Sequence, residues 1–214
     1  MKILTFDVET TGLPLKWAKT YQVNRWPHIV QFSWMVYDSS KNKVVALEDH
    51  IVKLPKGLKM LPDSIKIHGI TNEKMRRNGK DINIILKKFM SDVRKSKILV
   101  AHNIQFDMNM ITVEQIRNGY KKTLKDSRKN LFCTMKEGKN TANLYRFSKF
   151  YEKTVLKPPK LIELHQKLFS SIPNNLHNSL IDILVCFRCF SKLYWGIDIL
   201  SKNSKLFNLY KQYC

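Results

Sequence analysis

The sequence has few cysteines and no long apolar run. Its four cysteines, at positions 133, 186, 189 and 214, are too few and too unevenly spaced for a disulfide framework. Cys186 and Cys189 form one C-x-x-C pair within an apolar stretch, and because no second pair accompanies it, core packing is favoured over a metal or redox role. No apolar run reaches the ~20 residues that a membrane-spanning helix needs. These shortages argue against a disulfide-stapled secreted protein and against a membrane protein.

Acidic residues are also scarce: 17 Asp and Glu stand against 38 Lys and Arg, which gives a net charge of +21. A surplus of this size makes a compact chain repel itself and is typical of proteins with a polyanionic partner. The alternative is a lysine- and asparagine-rich composition inherited from an AT-rich genome. The first residues, MKILTFDVE, begin directly in a strand pattern without the apolar segment of a secretion signal. We therefore expect a soluble, intracellular protein (cytoplasm or nucleus) without a membrane partner.

Hydrophobic residues make up 43% of the chain, which is enough for a packed core. β-rich segments predict a three-stranded antiparallel meander, then a buried strand and a further short one; in order they are 2–9, 29–38, 44–53, 97–103 and the segment LFCTM. Helical spacing and caps such as Asp81 predict helices at 81–94, 104–118, about 160–169, 178–195 and near 198–212. Strands first, then strand–helix alternation, favour one α/β domain with a mixed sheet.

Four acidic residues occupy positions that such a sheet would bring together. Asp7 and Glu9 lie two apart on the first strand, so both side chains point to the same face. Asp107 follows the buried strand, which we expect to be the parallel neighbour of the first, and Asp182 lies in the last long helix. Because converging carboxylates repel one another unless cations lie between them, the pattern indicates a site for hard divalent ions with oxygen ligands.

Three blocks carry a resemblance to a known family. FDVETTGLP, AHNIQFDMNM and HNSLID, in this order and at this spacing, resemble the three motifs of the DEDDh (DnaQ-like) 3′–5′ exonucleases of the RNase H-like superfamily. The segments LPDSIKIHGIT and LFCTM resemble lesser signatures of the same family. His177, five residues before the last Asp, with Asn at position 178, matches the form of the family that has a catalytic histidine. The resemblance covers about 2–195, so we expect an exonuclease domain at 1–195 and a helical tail at 196–214.

The resemblance implies an α/β, RNase H-like exonuclease fold with a five-stranded mixed sheet flanked by helices. It also implies two magnesium ions (Mg²⁺, with Mn²⁺ as a substitute) held by Asp7, Glu9, Asp107 and Asp182. His177 would then be the general base that takes a proton from the attacking water, a role for which imidazole is suited near neutral pH. The expected reaction is hydrolysis from the 3′ end with release of nucleoside 5′-monophosphates.

Substrate contacts are also carried over from the resemblance, and they are Thr10, Thr11, Leu13, Ile67, His68, Asn103 and Phe106. For Ile67 and Phe106 the alternative is a structural position in the core. His102 lies in a family-like segment as well. The stretch 117–160 holds 13 Lys and Arg and 3 acidic residues. Clustered charge of this kind favours a track for a phosphate backbone over a merely solvated surface.

The expected partner is a nucleic acid with a free 3′ end, and DNA with single-stranded 3′ ends, as in proofreading or repair, is favoured. An exoribonuclease that trims RNA is the first alternative. A catalytically idle nucleic-acid-binding module on the same fold is the second. It is disfavoured because an idle copy has no physical reason to keep four mutually repelling acids. A polymerase partner and a homo-oligomer both stay open.

Overall fold

The computed structural model describes residues 1–214 and contains one five-stranded mixed sheet, which confirms the expected fold. Its strands are β1 (Lys2–Thr10), β2 (Ile29–Asp38), β3 (Lys43–Ile51), β4 (Ile98–Ala101) and β5 (Asn130–Cys133). They lie in the order β3-β2-β1-β4-β5. The predicted antiparallel meander β1–β2–β3 is confirmed, and so is the parallel pairing of β1 with β4.

Helices cover both faces of the sheet. They are α1 (Pro62–His68), α2 (Asn72–Asn78), α3 (Ile82–Lys95), α4 (Ile104–Arg117), α5 (Thr134–Glu137), α6 (Lys139–Ala142), α7 (Leu161–Phe169), α8 (Ser179–Trp195) and α9 (Ser204–Tyr213). Short 3₁₀ turns occupy Val23–Arg25, Leu124–Ser127 and Ile199–Ser201. No helix combines the length and the apolar character that a membrane span requires.

Two of the long helices, α3 and α8, begin at side chains that cap their first turn. The Asp81 carboxylate accepts from the backbone N–H of Asn83, as the sequence predicts. The Asn178 side chain accepts from the N–H of Leu180 and starts α8 one residue after His177. Because each cap satisfies a backbone donor that the helix itself leaves free, the start of α8 is fixed relative to Asp182 in its first turn.

The alternation of side chains along β1 divides the core into two layers. Leu4, Phe6 and Val8 point into the larger layer, which α3 and α4 cover. Ile3 points into the second layer, where the apolar face of α8 packs. That face includes Leu180, Ile183, Leu184, Phe187 and Phe190, as the sequence predicts. Cys186 and Cys189 are buried free thiols, which agrees with core packing rather than redox work.

Residues 196–214 pack onto the second layer. Ile199, Leu200 and Leu206 are buried there with the apolar face of α8. A partly buried ion pair reinforces the contact: the Arg188 guanidinium on α8 lies 2.6 Å from the Asp198 carboxylate. The prediction of a single ragged helix near 198–212 is wrong in one respect, because the chain forms a 3₁₀ turn and then α9.

A second, two-stranded sheet lies within the basic stretch 117–160, where the sequence predicts the short strand LFCTM and no hairpin. Strands β6 (Tyr145–Ser148) and β7 (Lys153–Leu156) form an antiparallel hairpin. Its two ends are joined by a hydrogen bond from the Lys157 N–H to the Leu144 carbonyl at 2.8 Å. The strands are only four residues long, and most of their side chains are exposed, so neither face shows the apolar alternation by which a strand is recognised in a sequence.

Candidate active site

Asp7 and Glu9 lie near the carboxyl end of β1, the central strand of the sheet. They are two residues apart and therefore face the same side, that of α8. The register between β1 and β2 shifts directly after Glu9, where a bulge ends the regular pairing. Bulges of this kind re-aim side chains beside active sites. Here the bulge separates the two carboxylates from the loop that begins at Thr11.

Asp107 reaches the same place from the neighbouring strand. Asn103, with φ of +63°, turns the chain sharply from the end of β4 into α4, and Asp107 lies in the first turn of that helix. Its Oδ1 accepts a hydrogen bond of 3.2 Å from the backbone N–H of Val8, which lies between the two β1 acids. Asp107 is 2% exposed. The buried Asp107 carboxylate is thus hydrogen-bonded directly to β1, the strand that carries Asp7 and Glu9.

Asp182 arrives from the opposite layer, on the first turn of α8. Its Oδ2 accepts from the backbone N–H of His177 at 3.2 Å. Its Oδ1 is buried and has no hydrogen-bond partner. Ligand atoms of Glu9, His177 and Asp182 all lie within 4.8 Å of one another. The structure therefore brings all five residues of the predicted constellation to one end of the sheet.

The carboxylates interact strongly. Burial raises the pKa of Asp7 to about 7, and burial together with the charge of Asp7 raises that of Glu9 to about 8. The pKa values of Asp107 and Asp182 are raised well above the ordinary range, first by burial and then by the charges of Asp7 and Glu9. The charge of Asp7 contributes to the raised pKa values of Glu9, Asp107 and Asp182, so the four carboxylates lie close together.

His177 is exposed and holds an unusual backbone conformation. Its φ is +71°, in the left-handed region that residues other than glycine seldom adopt. The hydrogen bond from its N–H to Asp182 and the cap at Asn178 hold this turn in place. Strained backbone of this kind persists where the surroundings determine it, and it often occurs at functional sites. The turn sets an accessible imidazole beside the carboxylates.

A buried polar network fixes the start of α8 against the sheet, and sequence reasoning missed it. The Gln31 side chain accepts from the Ser179 N–H at 3.3 Å and donates to the Asn178 amide oxygen at 3.2 Å. The Ser33 hydroxyl lies 2.6 Å from that of Ser179 and donates to Asp49 at 2.7 Å. The available signal was a pair of polar residues two apart, Gln31 and Ser33, inside an otherwise apolar strand.

The predicted contacts near the first motif lie in the loop after β1. The Thr10 hydroxyl donates to the Gly12 carbonyl at 2.7 Å. Thr11 is paired with His28 through two hydrogen bonds, and its carbonyl accepts from the Ser64 hydroxyl at 2.8 Å. Leu13 is 82% exposed. The loop is therefore tied down at its start and carries an unpacked apolar side chain beyond it.

The remaining predicted contacts differ in exposure. Ile67, on α1, is 58% exposed, whereas Phe106 is partly buried and packs against the larger core layer. Asn103 is exposed beside the cluster.

His68 is buried with its Nε2 unpartnered, and burial lowers its pKa. His102 bonds Thr134 and Pro159 through its two ring nitrogens, and burial lowers its pKa to about 4, which suits a structural role.

The donor set fits divalent metal ions. Four carboxylates converge without a neighbouring cation among them, and one buried carboxylate oxygen, Oδ1 of Asp182, lacks any partner. Bound cations would satisfy that oxygen and would favour the ionised carboxylates, which burial and mutual repulsion disfavour. Oxygen donors suit hard ions such as Mg²⁺ and Mn²⁺.

Comparisons with known proteins match this chain to an exonuclease family and to solved exonuclease structures. A family model described as Exonuclease (RNase_T) matches residues 4–190. Among curated proteins, the PolC-type DNA polymerase III of Streptococcus sanguinis (strain SK36) is 30% identical over 121 residues, which cover 56% of this chain and 7% of the relative. Similar solved structures include E. coli exonuclease I in complex with a 5cy-dT13 oligonucleotide, at 17% identity and a TM-score of 0.61. Exonuclease I of Methylocaldum szegediense is 15% identical, with a TM-score of 0.64.

Both exonuclease I matches cover 97% of this chain and 42% of the solved one. The chain thus spans less than half the length of these solved proteins and a small fraction of the polymerase. At these identities the solved structures show the fold.

Proposed function

The chain belongs to the RNase_T exonuclease family, in the DnaQ-like group of the RNase H-like superfamily, and from this premise we propose that it is a metal-dependent 3′→5′ exonuclease of the DEDDh type. The observation that carries the proposal is the convergence of four buried or partly buried carboxylates beside one accessible histidine. The unit proposed to carry the activity is 1–195, with 196–214 as a stabilising tail.

Asp7, Glu9, Asp107 and Asp182 are the proposed holders of two Mg²⁺ ions, with Mn²⁺ as a substitute. Asp7 would hold the ions together with the other three carboxylates, since its charge raises the pKa of each of them. When bound, such ions supply positive charge that polarises the phosphodiester and offsets the charge developing on the attacking and leaving oxygens. The buried network around Gln31 and Ser33 keeps Asp182 in position.

His177 is the proposed general base. It accepts one proton from a water molecule whose oxygen forms the new bond to the terminal phosphorus. The bond from that phosphorus to the 3′ oxygen of the preceding nucleotide breaks, and this oxygen takes a proton from solvent. The products are a nucleoside 5′-monophosphate and a chain shortened by one nucleotide with a new 3′ hydroxyl. The exposure of the imidazole and its place beside Glu9 and Asp182 support the role.

Single-stranded DNA is the proposed substrate. The net charge of +21 supports a polyanionic partner. Similar solved proteins include E. coli exonuclease I in complex with dT13 and dA16 oligonucleotides, and the curated relative is a DNA polymerase. In the proposed pose the loop with Thr10, Thr11 and Leu13 and the exposed Ile67 meet the terminal nucleotides, with Asn103 beside them. RNA remains the alternative substrate.

A labelled oligonucleotide tests the proposal. With a 5′ label and Mg²⁺, the chain is expected to produce a ladder that shortens from the 3′ end, and EDTA is expected to stop it. Asp7→Asn should nearly abolish cleavage, whereas Asp63→Asn, an exposed acid on α1, should not. Binding without any cleavage in Mg²⁺ or Mn²⁺ would replace the proposal with the idle binding module. Faster cleavage of RNA than of DNA would assign the alternative substrate.

The base role of His177 has its own test. His177→Ala should lose nearly all activity but keep its melting temperature, because the side chain is exposed. Added imidazole should restore part of the rate, since it can accept the same proton. A large loss of stability without imidazole rescue would assign His177 a structural role instead.

A further inference from the structure

The β6–β7 hairpin exposes a cluster of aromatic side chains. Tyr145, Phe147, Phe150 and Tyr151 are 59%, 65%, 86% and 62% exposed. Tyr145 and Phe147 share one face of β6 and pair across the hairpin with Leu156 and Thr154. The rings of Phe150 and Tyr151 at the tip meet edge to face at 4.9 Å. An isolated two-stranded hairpin gains little stability of its own, so rings left in water contribute little to folding.

Cations alternate with these rings. Arg146, Lys149 and Lys153 are exposed and form no ion pair, and Glu152 is the single acid in the hairpin. The Lys153 ammonium lies 6.0 Å from the centre of the Tyr151 ring. The surface therefore offers flat aromatic faces and unpaired positive charge together. This chemistry differs from that of an apolar protein contact, whose centre is depleted of lysine.

The base of the hairpin adjoins the catalytic end of the sheet. Beyond β7, the Pro159 carbonyl pairs with Nε2 of His102 at 3.0 Å. His102 follows β4 directly and precedes Asn103, the residue that turns the chain into the helix of Asp107. The hairpin is thus rooted at the edge where the carboxylates converge.

We propose that this hairpin is a binding platform for single-stranded nucleic acid, which holds the strand a few nucleotides before the 3′ end. Exposed rings stack on bases irrespective of sequence, and the lysines and arginine contact phosphates. A single strand is specified because duplex bases already stack on one another and leave their faces covered. The inference rests on the proposed exonuclease function and adds to it a second point of contact outside the carboxylate cluster.

Two pairs of variants test the platform. Phe147→Ala combined with Phe150→Ala removes rings, and its control is Phe207→Ala, an aromatic 46% exposed on α9. Lys149→Glu combined with Lys153→Glu reverses charge, and its control is Lys87→Glu, exposed on α3. All four positions in the test variants are exposed, so each variant is expected to melt at the temperature of the unchanged protein.

Binding is measured in EDTA by fluorescence anisotropy with labelled single-stranded dT, single-stranded rU and blunt duplex DNA. The ring variant is expected to weaken binding of single strands by roughly 5- to 150-fold, the range for loss of one stacked base. The charge variant is expected to weaken it as well, through the loss of phosphate contacts. Only the charge variant should also reduce the salt dependence of binding. The controls should bind as the unchanged protein does, and the dT and rU arms show which strand the platform prefers.

Degradation assays with Mg²⁺ distinguish a failure of the proposed platform from a failure of the proposed exonuclease function. The variants should lose kcat/KM on long single strands but retain it on a trinucleotide too short to reach the hairpin. If the unchanged protein degrades neither substrate, the proposed function fails. If it degrades both and the variants match it on long strands, the platform is refuted while the function stands. Unchanged DNA binding with a changed sedimentation mass would assign the hairpin to a protein contact and would also refute it.

Discussion

Removal of divalent ions should make the stability of the protein fall as the pH rises from 5 to 8. Burial raises the pKa of Asp7 to about 7 and is the first cause of the rise of Glu9 to about 8. In the unfolded chain both carboxyls titrate near pH 4. Between pH 4 and 8 the folded state therefore binds more protons than the unfolded state. The contribution of these two carboxyls to the free energy of unfolding is fully present below pH 4 and is lost as the pH rises through about 7 and 8.

The magnitude follows from the same values. A tenfold change in proton affinity corresponds to about 1.4 kcal/mol. For Asp7 alone, a pKa near 4 in the unfolded chain and about 7 in the folded one corresponds to about 4 kcal/mol in total, of which about 3 kcal/mol is lost between pH 5 and pH 8. In a chain of 214 residues, each 1 kcal/mol moves the melting temperature by roughly 2–4 °C. A drop on the order of 10 °C between pH 5 and pH 8 is therefore expected in EDTA.

Thermal unfolding followed by circular dichroism measures this drop. Addition of Mg²⁺ or Mn²⁺ should flatten the slope of melting temperature against pH, because bound cations favour the ionised carboxylates. Asp7→Asn should flatten it without metal. Asp63→Asn should leave it unchanged, because that carboxylate is exposed. A melting temperature in EDTA that is constant or rises over this range would show that burial does not raise the pKa values of Asp7 and Glu9 as the structure indicates.

Further variants test individual contacts. Asp182→Asn should nearly abolish cleavage yet raise the melting temperature of the metal-free protein at pH 8, since it removes a buried charge with an unpartnered oxygen. Gln31→Leu should cost about 1–3 kcal/mol in urea denaturation, and kcat should fall more than the affinity for DNA, because the Ser179 N–H loses its acceptor. Arg188→Ala should cost about 3 kcal/mol by leaving Asp198 unpaired. Deletion of 196–214 should lower the melting temperature, as measured by circular dichroism, because it uncovers part of the apolar face of α8.

The sheet could be predicted because its strands carry their own signals. β1 and β2 are long and β-rich, and the shorter β4 is wholly apolar. Asp7, Glu9 and Asp107 follow from this order, since parallel neighbours end at one edge. Their separation along the chain is no obstacle to the prediction, because each acid is placed by the strand beside it.

Two features were not predicted from the apolar pattern of the sequence: the β6–β7 hairpin, and the division of the tail into a 3₁₀ turn and α9. β6 and β7 have no buried face, so their side chains follow no apolar period. In the tail, two caps were available as signals: Asp198 accepts from the Leu200 N–H, and Asn203 accepts from the Leu206 N–H. Two caps five residues apart indicate two helical starts rather than one.

The polar network at α8 depends on pairing that no local pattern contains. Gln31 and Ser33 stand out in β2 as polar residues in an apolar strand. Their partners, Asn178 and Ser179, lie 147 and 146 residues further along the chain. Only the packing of α8 on β2 shows that these residues hold the helix that carries Asp182.

The hydrogen bonds that join the site connect residues far apart in the sequence, and this has a consequence for the nascent protein. Val8 and Asp107 are 99 residues apart, and the Ser33–Ser179 contact spans 146. A chain still emerging from the ribosome has its first acids long before it has Asp182, so it possesses no complete cluster until the sheet and α8 have met. Contacts this distant in sequence form late and slowly. The proposed nuclease activity therefore requires the finished fold, because only the sheet and α8 together bring the four acids into one cluster.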